Sequence, residues 1–152
     1  MRRVLTVVCS AALAESCAFS APVNSYTVEE VLADISSHDS KLDGETIPIT
    51  GWLGPCEKLS CSIYNNRADA ERVARFRELP DDEWMPAFGR GLNIGGGSAA
   101  FEAQAALLEF SQVVVVGEVN ATWKAPPDEN GMKFGCWDRC DDIRPQSITL
   151  IL

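Results

Sequence analysis

Apolar residues recur along the chain with two different periods, and the changes between them divide it into elements. Val28, Val31, Leu32 and Ile35 follow helical spacing, which predicts an amphipathic helix from Thr27 to about Ser37. Thr27-Val28-Glu29-Glu30 has the form of a capping box, with Thr27 as N-cap and Glu30 reaching back to it. From Thr46 to Leu53 the period shortens to two. Ile47, Ile49, Gly51 and Leu53 share one face of this expected strand, and Trp52 lies on the other. Pro48 cannot donate to a ladder and belongs at an edge or bulge. Gly51 suggests a bend.

Gly54-Pro55 turns the chain into a second strand over Ser60 to Tyr64, paired back as a hairpin. Residues 65–90 form a polar, charged insertion. Within it, Ala68 to Leu79 is expected to be helical, burying Ala70, Val73, Phe76 and Leu79 and stopped by Pro80-Asp81-Asp82. A short third strand spans Gly91 to Ile94. Ser98 then caps a helix over Ala99 to Phe110. Gln112 to Trp123 is a strand whose unbroken Val113 to Val116 implies burial on both faces. After a Pro/Gly-rich excursion from Ala125 to Asp142, Ser147 to Leu152 reads as the closing strand.

Five strands with a helix between the third and fourth, preceded by an N-terminal helix, is the order of an OB-fold. The expected fold is therefore mainly β, in the α+β sense: an OB-fold-like five-stranded small barrel. The segment Leu42-Asp43-Gly44-Glu45-Thr46-Ile47-Pro48-Ile49-Thr50-Gly51-Trp52-Leu53, with Val113-Val114-Val115-Val116-Gly117-Glu118-Val119 later, resembles the paired strand motifs of small exported bacterial OB-fold-like proteins. The likeness extends to Cys56 and Cys61 and to Cys136-Trp137-Asp138-Arg139, and spans roughly residues 28–148. It implies a fold and no particular activity.

The first 20 residues read as a signal peptide. Arg2 and Arg3 supply a positive start and Val4 to Leu13 an apolar run, and Ala18-Phe19-Ser20 offers small residues at a cleavage site before Ala21. A cut after Ala14 and lipoprotein processing at Cys17 are the alternatives. The apolar run is well short of the ~20 residues that span a membrane. Residues 21–152 then form one domain, periplasmic or secreted, with no transmembrane helix in the mature chain. Losing Arg2, Arg3 and Glu15 takes the formal charge from −9 to −10. That acidic field, with no Lys/Arg cluster, argues against nucleic-acid binding, which draws its affinity from neutralised phosphates.

Four cysteines remain after such cleavage: Cys56, Cys61, Cys136 and Cys140. In an exported protein they are expected as disulfides. The local pairs Cys56–Cys61 and Cys136–Cys140 are the preferred reading, although four cysteines allow three connectivities. Both spacings also suit a zinc site with four cysteine ligands, but an oxidising compartment removes the thiolates such a site needs. Neither pair has the Cys-x-x-Cys spacing of a thiol–disulfide exchanger.

Other chemistry is sparse. His38 is the only histidine, in a polar link, with no nucleophile placed beside it. Gly95-Gly96-Gly97-Ser98 opens a helix but lacks the lysine of a phosphate loop, so it reads as a connection. Asp81, Asp82 and Glu83, like Asp138, Asp141 and Asp142, read as solvated turns rather than calcium loops. No catalytic residue, metal site or cofactor is assigned. Trp52 and Tyr64 are the candidate binding residues, as a pair on the face of the first two strands, with packing beneath the insertion as the plainer reading. The function expected is a non-catalytic envelope binding or accessory module, with a small ligand or an envelope protein as partner. The alternative is a metal- or thiol-dependent protein using the four cysteines. The native exported protein should start at Ala21 and weigh four hydrogens less than its reduced form, as intact mass with and without reduction will show. Four free thiols would make the cysteines the site.

Overall fold

The structure is a computed structural model, which describes residues 24–56, 61–122 and 141–152. The expected signal peptide and the Cys136–Cys140 pair lie outside the described residues.

Local sequence chemistry sets the first element. The Thr27 side chain accepts from the Glu30 amide at 3.2 Å, and the Thr27 amide donates to Glu30 Oε2 at 2.7 Å. This reciprocal cap starts α1 (Val28–Ile35), which buries Val28, Val31 and Ile35. Just before it, β1 (Tyr26–Thr27) runs parallel to β2 (Thr46–Leu53), with Tyr26 opposite Ile49. The link between α1 and β2 is folded around Asp34, which accepts from the Ser40 hydroxyl and the Lys41 and Leu42 amides.

β2 alternates as its pattern predicts: Ile47, Ile49, Gly51 and Leu53 are buried and Trp52 is partly exposed. It is followed by β3 (Cys61–Tyr64), β4 (Gly91–Ile94), β5 (Gln112–Val119) and β6 (Ile143–Leu150). The strands run in the order β1-β2-β3-β4-β6-β5, and β5 pairs back onto β2. β2 to β6 thus close a five-stranded barrel with β1 appended. The one parallel contact within the barrel joins β4 to β6 at Ile94 and Ile143. α4 (Ala99–Leu107), capped by Ser98, lies between β4 and β5. This is the OB-fold order anticipated from the sequence, in a small α+β barrel with helix and strand in similar amounts.

β2 is the shared strand. It pairs with β5 from Thr46 to Trp52, and with β3 only at Trp52 and Leu53. Pro48 falls opposite Val116 of β5, before β3 reaches the other flank of β2. Gly51 lies where the two pairings meet. A Cβ there would come within 2.7 Å of Ile63 Cγ1 and the Tyr64 carbonyl oxygen, and within 2.8 Å of Val28 Cγ2. The barrel interior holds Ile47, Ile49, Leu53, Ile63, Leu92, Val113, Val115 and Ile143, closed by Val28, Val31 and Ile35 of α1 and by Phe101 and Ala105 of α4.

The structure departs from the sequence expectations in several places, among them α4, which ends at Leu107 rather than Phe110, and β5, which ends at Val119 rather than Trp123. The insertion holds two helices, α2 (Arg67–Ala74) and α3 (Asp81–Phe88). α2 stops short of Phe76, which is 46% exposed rather than packed. Pro80-Asp81-Asp82 starts a helix instead of only ending one. Pro80 stands at the N-cap, and three acidic residues in the first turn complement the positive end of the helix dipole. The last strand begins at Ile143, four residues early. Its polar stretch hides the pattern because the β5–β6 register shifts: Val116 faces Ser147 while Gly117 faces Pro145, leaving Gln146 as an extra residue.

Gly51→Ala should lower stability by about 1–3 kcal/mol, the cost of overpacking, because the nearest carbonyl belongs to a neighbouring strand and has little room to yield. Urea denaturation measures this. An unchanged midpoint would mean that β2 does not depend on the close approach.

Candidate functional site

Trp52 and Tyr64 are direct cross-strand partners, as the hairpin register requires. Their environments differ. Trp52 remains partly exposed, with the Arg67 guanidinium 5.8 Å from its ring centroid. Tyr64 is fully buried and is not part of an exposed aromatic pair. All four β3 residues are buried, since the barrel covers one face and the insertion packs on the other. The Tyr64 ring lies between Gly54 and Gly91, where added Cβ atoms would approach it to 2.6 and 2.5 Å. With Ala70, Val73 and Ala87 it forms a second, smaller core beneath the insertion. Among the described residues its hydroxyl makes no hydrogen bond of good geometry, although the Ser62 side chain is close enough to oppose part of the rise in its pKa. Burial, reinforced by the charge of Asp69, pushes its pKa up to about 12. Packing, the plainer reading of this tyrosine, is the one its position supports.

Asp69 closes the neck of the insertion. Its carboxylate accepts from Arg90 Nη2 at 2.6 Å and Nε at 3.0 Å, and from Asn66 Nδ2 at 3.0 Å. Asn66 in turn caps α2 by accepting from the Asp69 amide at 2.9 Å. One buried carboxylate thus ties Asn66, two residues after β3, to Arg90, the residue before β4.

Beside the neck, a groove of about 660 Å³ separates α2 from the turn leading into β5. Arg67, Glu71 and Arg72 of α2 line it together with Arg75, Leu79, Glu83 and Phe110. Arg67 is paired with Glu71 at 2.6 Å and Arg75 with Glu78 at 3.0 Å. Arg72 takes part in no ion pair among the described residues. Phe110 has a φ of 60°, the one positive value outside glycine among the described residues. For a bulky side chain this conformation is strained. Its amide donates to the Leu53 carbonyl at 2.9 Å, and its ring packs against the Tyr64 cluster. The groove therefore brings the Arg72 guanidinium, whose charge also reaches Asp69, and the apolar Phe110 into one lining, with Arg67 over Trp52.

The remaining candidates fall elsewhere. Cys56 and Cys61 are joined by a disulfide, with Cα atoms 4.3 Å apart, and the Cys56 amide donates to Glu109 Oε1 at 2.6 Å. Cys136 and Cys140 lie outside the described residues. His38 is exposed and forms no hydrogen bond or ion pair among them. The start of the glycine loop packs against Asp141, where a Cβ on Gly95 would come within 2.9 Å of Asp141 Cβ. Asp141 and Asp142 are not solvated turn residues: they are 3% and 0% exposed. The Asn93 amide donates to Asp142 Oδ2 at 2.8 Å, and the Asp142 amide donates to the Asn93 carbonyl at 2.8 Å. The pair thus positions the start of β6 against β4. Asp81, Asp82 and Glu83 form the first turn of α3. Among the described residues, no group of three His, Cys, Asp or Glu side chains is placed to hold a metal ion.

Sequence reasoning missed Arg72 and Phe110. Nothing local marks Phe110, since the left-handed position carries neither glycine nor asparagine. No protein family, curated protein or solved structure matched the chain. No helix among the described residues is long and apolar enough to cross a membrane.

The Arg90 hydrogen bond holds the Asp69 carboxyl below its ordinary 3.8, against an opposing effect of burial, with Asn66 adding to the lowering. A depressed carboxylate pKa stabilises the fold fully above the unfolded value, and that stabilisation is lost as pH falls through the folded one. The Tm difference between wild type and Asp69→Asn should therefore be steady above about pH 5 and narrow below about pH 4. A difference independent of pH would remove the charge of Asp69 from the explanation.

Proposed function

We propose that the chain is an exported, non-catalytic binding or accessory module of the cell envelope, related to the small bacterial OB-fold-like proteins it resembles. It takes a small ligand that carries an anionic group next to an apolar one. The observation that carries this reading is the groove, whose lining brings together Phe110 and Arg72, a guanidinium in no direct ion pair among the described residues although its charge is felt by Asp69. A guanidinium recognises carboxylates and phosphates through paired donors, and an apolar wall adds area without directional demands. Trp52 and Arg67 extend the surface towards the barrel. The strained backbone at Phe110 also supports a functional role, because such strain is often retained where a ring must be aimed.

The Cys56–Cys61 bridge supports a structural role for those cysteines over a thiol- or metal-dependent one. A disulfide also fits an oxidising compartment, in keeping with export.

Phenylacetate and its uncharged amide serve as probes in amide-resolved NMR titrations. Phenylacetate should shift the resonances of Arg72, Arg75 and Phe110, with phenylacetamide much weaker. Arg72→Ala should weaken phenylacetate binding by about tenfold, the scale of one charge-assisted contact. Equal response to both probes, or a response unchanged in the variant, would overturn the reading.

A further inference from the structure

Helices on a domain surface ordinarily turn their larger apolar residues towards the core. The insertion does the reverse. Its helices bury Ala70, Val73 and Ala87, while Phe76, Met85 and Phe88 are 46%, 54% and 44% exposed. These side chains are organised. Trp84 meets Phe76 edge-on with ring centroids 5.8 Å apart, and meets Phe88 in the same manner at 6.1 Å. The indole is fixed by its Nε1–H, which donates to Asp81 Oδ1 at 3.1 Å. Met85 stands one helical turn from Phe88. The result is a cluster of exposed apolar side chains joined by two ring contacts and one hydrogen bond.

Its charged border has one dominant sign. Asp81, Asp82 and Glu83 directly precede Trp84, are exposed, and form no ion pair among the described residues. The adjacent cation, Arg77, sits over Phe76 at 5.3 Å from its ring centroid. The whole chain is also acidic, at −9. Both the local border and the overall field repel an anionic lipid surface. They also oppose a second copy of this chain approaching with the same acidic turn.

We infer that the Phe76–Trp84–Phe88 face is a docking surface for a basic, amphipathic protein helix. Its aliphatic side chains cover the rings, and its lysines or arginines meet Asp81, Asp82 and Glu83. This surface shares Glu83 with the lining of the Arg72 groove and is otherwise formed by other residues. Rings and acidic residues divide the work: the first supply buried area, and the second choose the sign of the partner.

The test is calorimetric titration of the folded protein with a short amphipathic helical peptide of leucine and lysine, and with its leucine–glutamate counterpart. The lysine peptide should bind and the glutamate peptide should not. Phe88→Ser, at an exposed position, should weaken binding by about tenfold or more, as truncation of a central anchor does. Asp82→Lys should weaken it severalfold and reduce its salt dependence. Phe76→Ser serves as a second probe of the rings should Phe88→Ser fail to fold. Failure of the lysine peptide to bind overturns the proposal, and so does binding that the ring variants leave unchanged, which marks charge attraction alone. Concentration-dependent dimerisation abolished by Phe88→Ser, read by sedimentation velocity, would assign the face to a second copy. Phe88-dependent binding to vesicles containing phosphatidylglycerol would assign it to lipid. Arg72→Ala leaves peptide binding intact if the two sites are independent.

Discussion

Barrel closure depends on one strand taking two partners at once. β2 gives most of its length to β5 and its last two residues to β3, and the change falls at Gly51. At that residue α1, β3 and the backbone of β2 approach so closely that a methyl group has no place. Because β5 also carries β6, and β6 returns to β4, the ring of pairings has no free end. The core is then filled chiefly by alternate residues on these strands, with α1 and α4 as lids. The contacts in this ring are mostly distant in sequence, so the barrel gains its stability only once several loops have closed.

The insertion is attached to this barrel by a second, smaller set of constraints. Tyr64 at the end of β3 gives it a hydrophobic floor, and the slot between Gly54 and Gly91 accommodates the ring. Asp69 and Arg90 hold the two ends of the excursion together. Two helices are thus fixed to the barrel through few large buried groups, which frees their other large side chains for the outer surface. The same arrangement places the Arg72 groove on one side of α2 and the ring surface across α3.

What was legible in the sequence was local. The reciprocal cap at Thr27 and Glu30 and the alternation through β2 each depend on residues close in the chain, and both appear at the expected positions. The strand order followed because the valine run and the short Gly91–Ile94 segment are strongly patterned. What was not legible depends on distant partners. Tyr64 alternates as an outward residue and is buried only because the insertion returns over it. Asp141 and Asp142 look like a polar turn until Asn93, on another strand, supplies the matching amide and carbonyl. α3 was obscured because its Pro80-Asp81-Asp82 opening serves equally as a stop for the preceding helix and a start for its own. Trp52 was found by alternation, but the arginines that make its surroundings useful lie on a helix whose placement no local pattern gives.

Phe110 joins features that could have been independent. Its amide holds the carbonyl at the end of β2, its ring forms a wall of the groove, and that ring also rests on the small core around Tyr64. Displacing the ring therefore disturbs the barrel seam and the insertion floor together. The groove and the Leu53 end of the shared strand thus share one residue. One residue with a left-handed backbone therefore belongs at once to the strand on which closure depends, to the floor of the insertion and to an exposed wall.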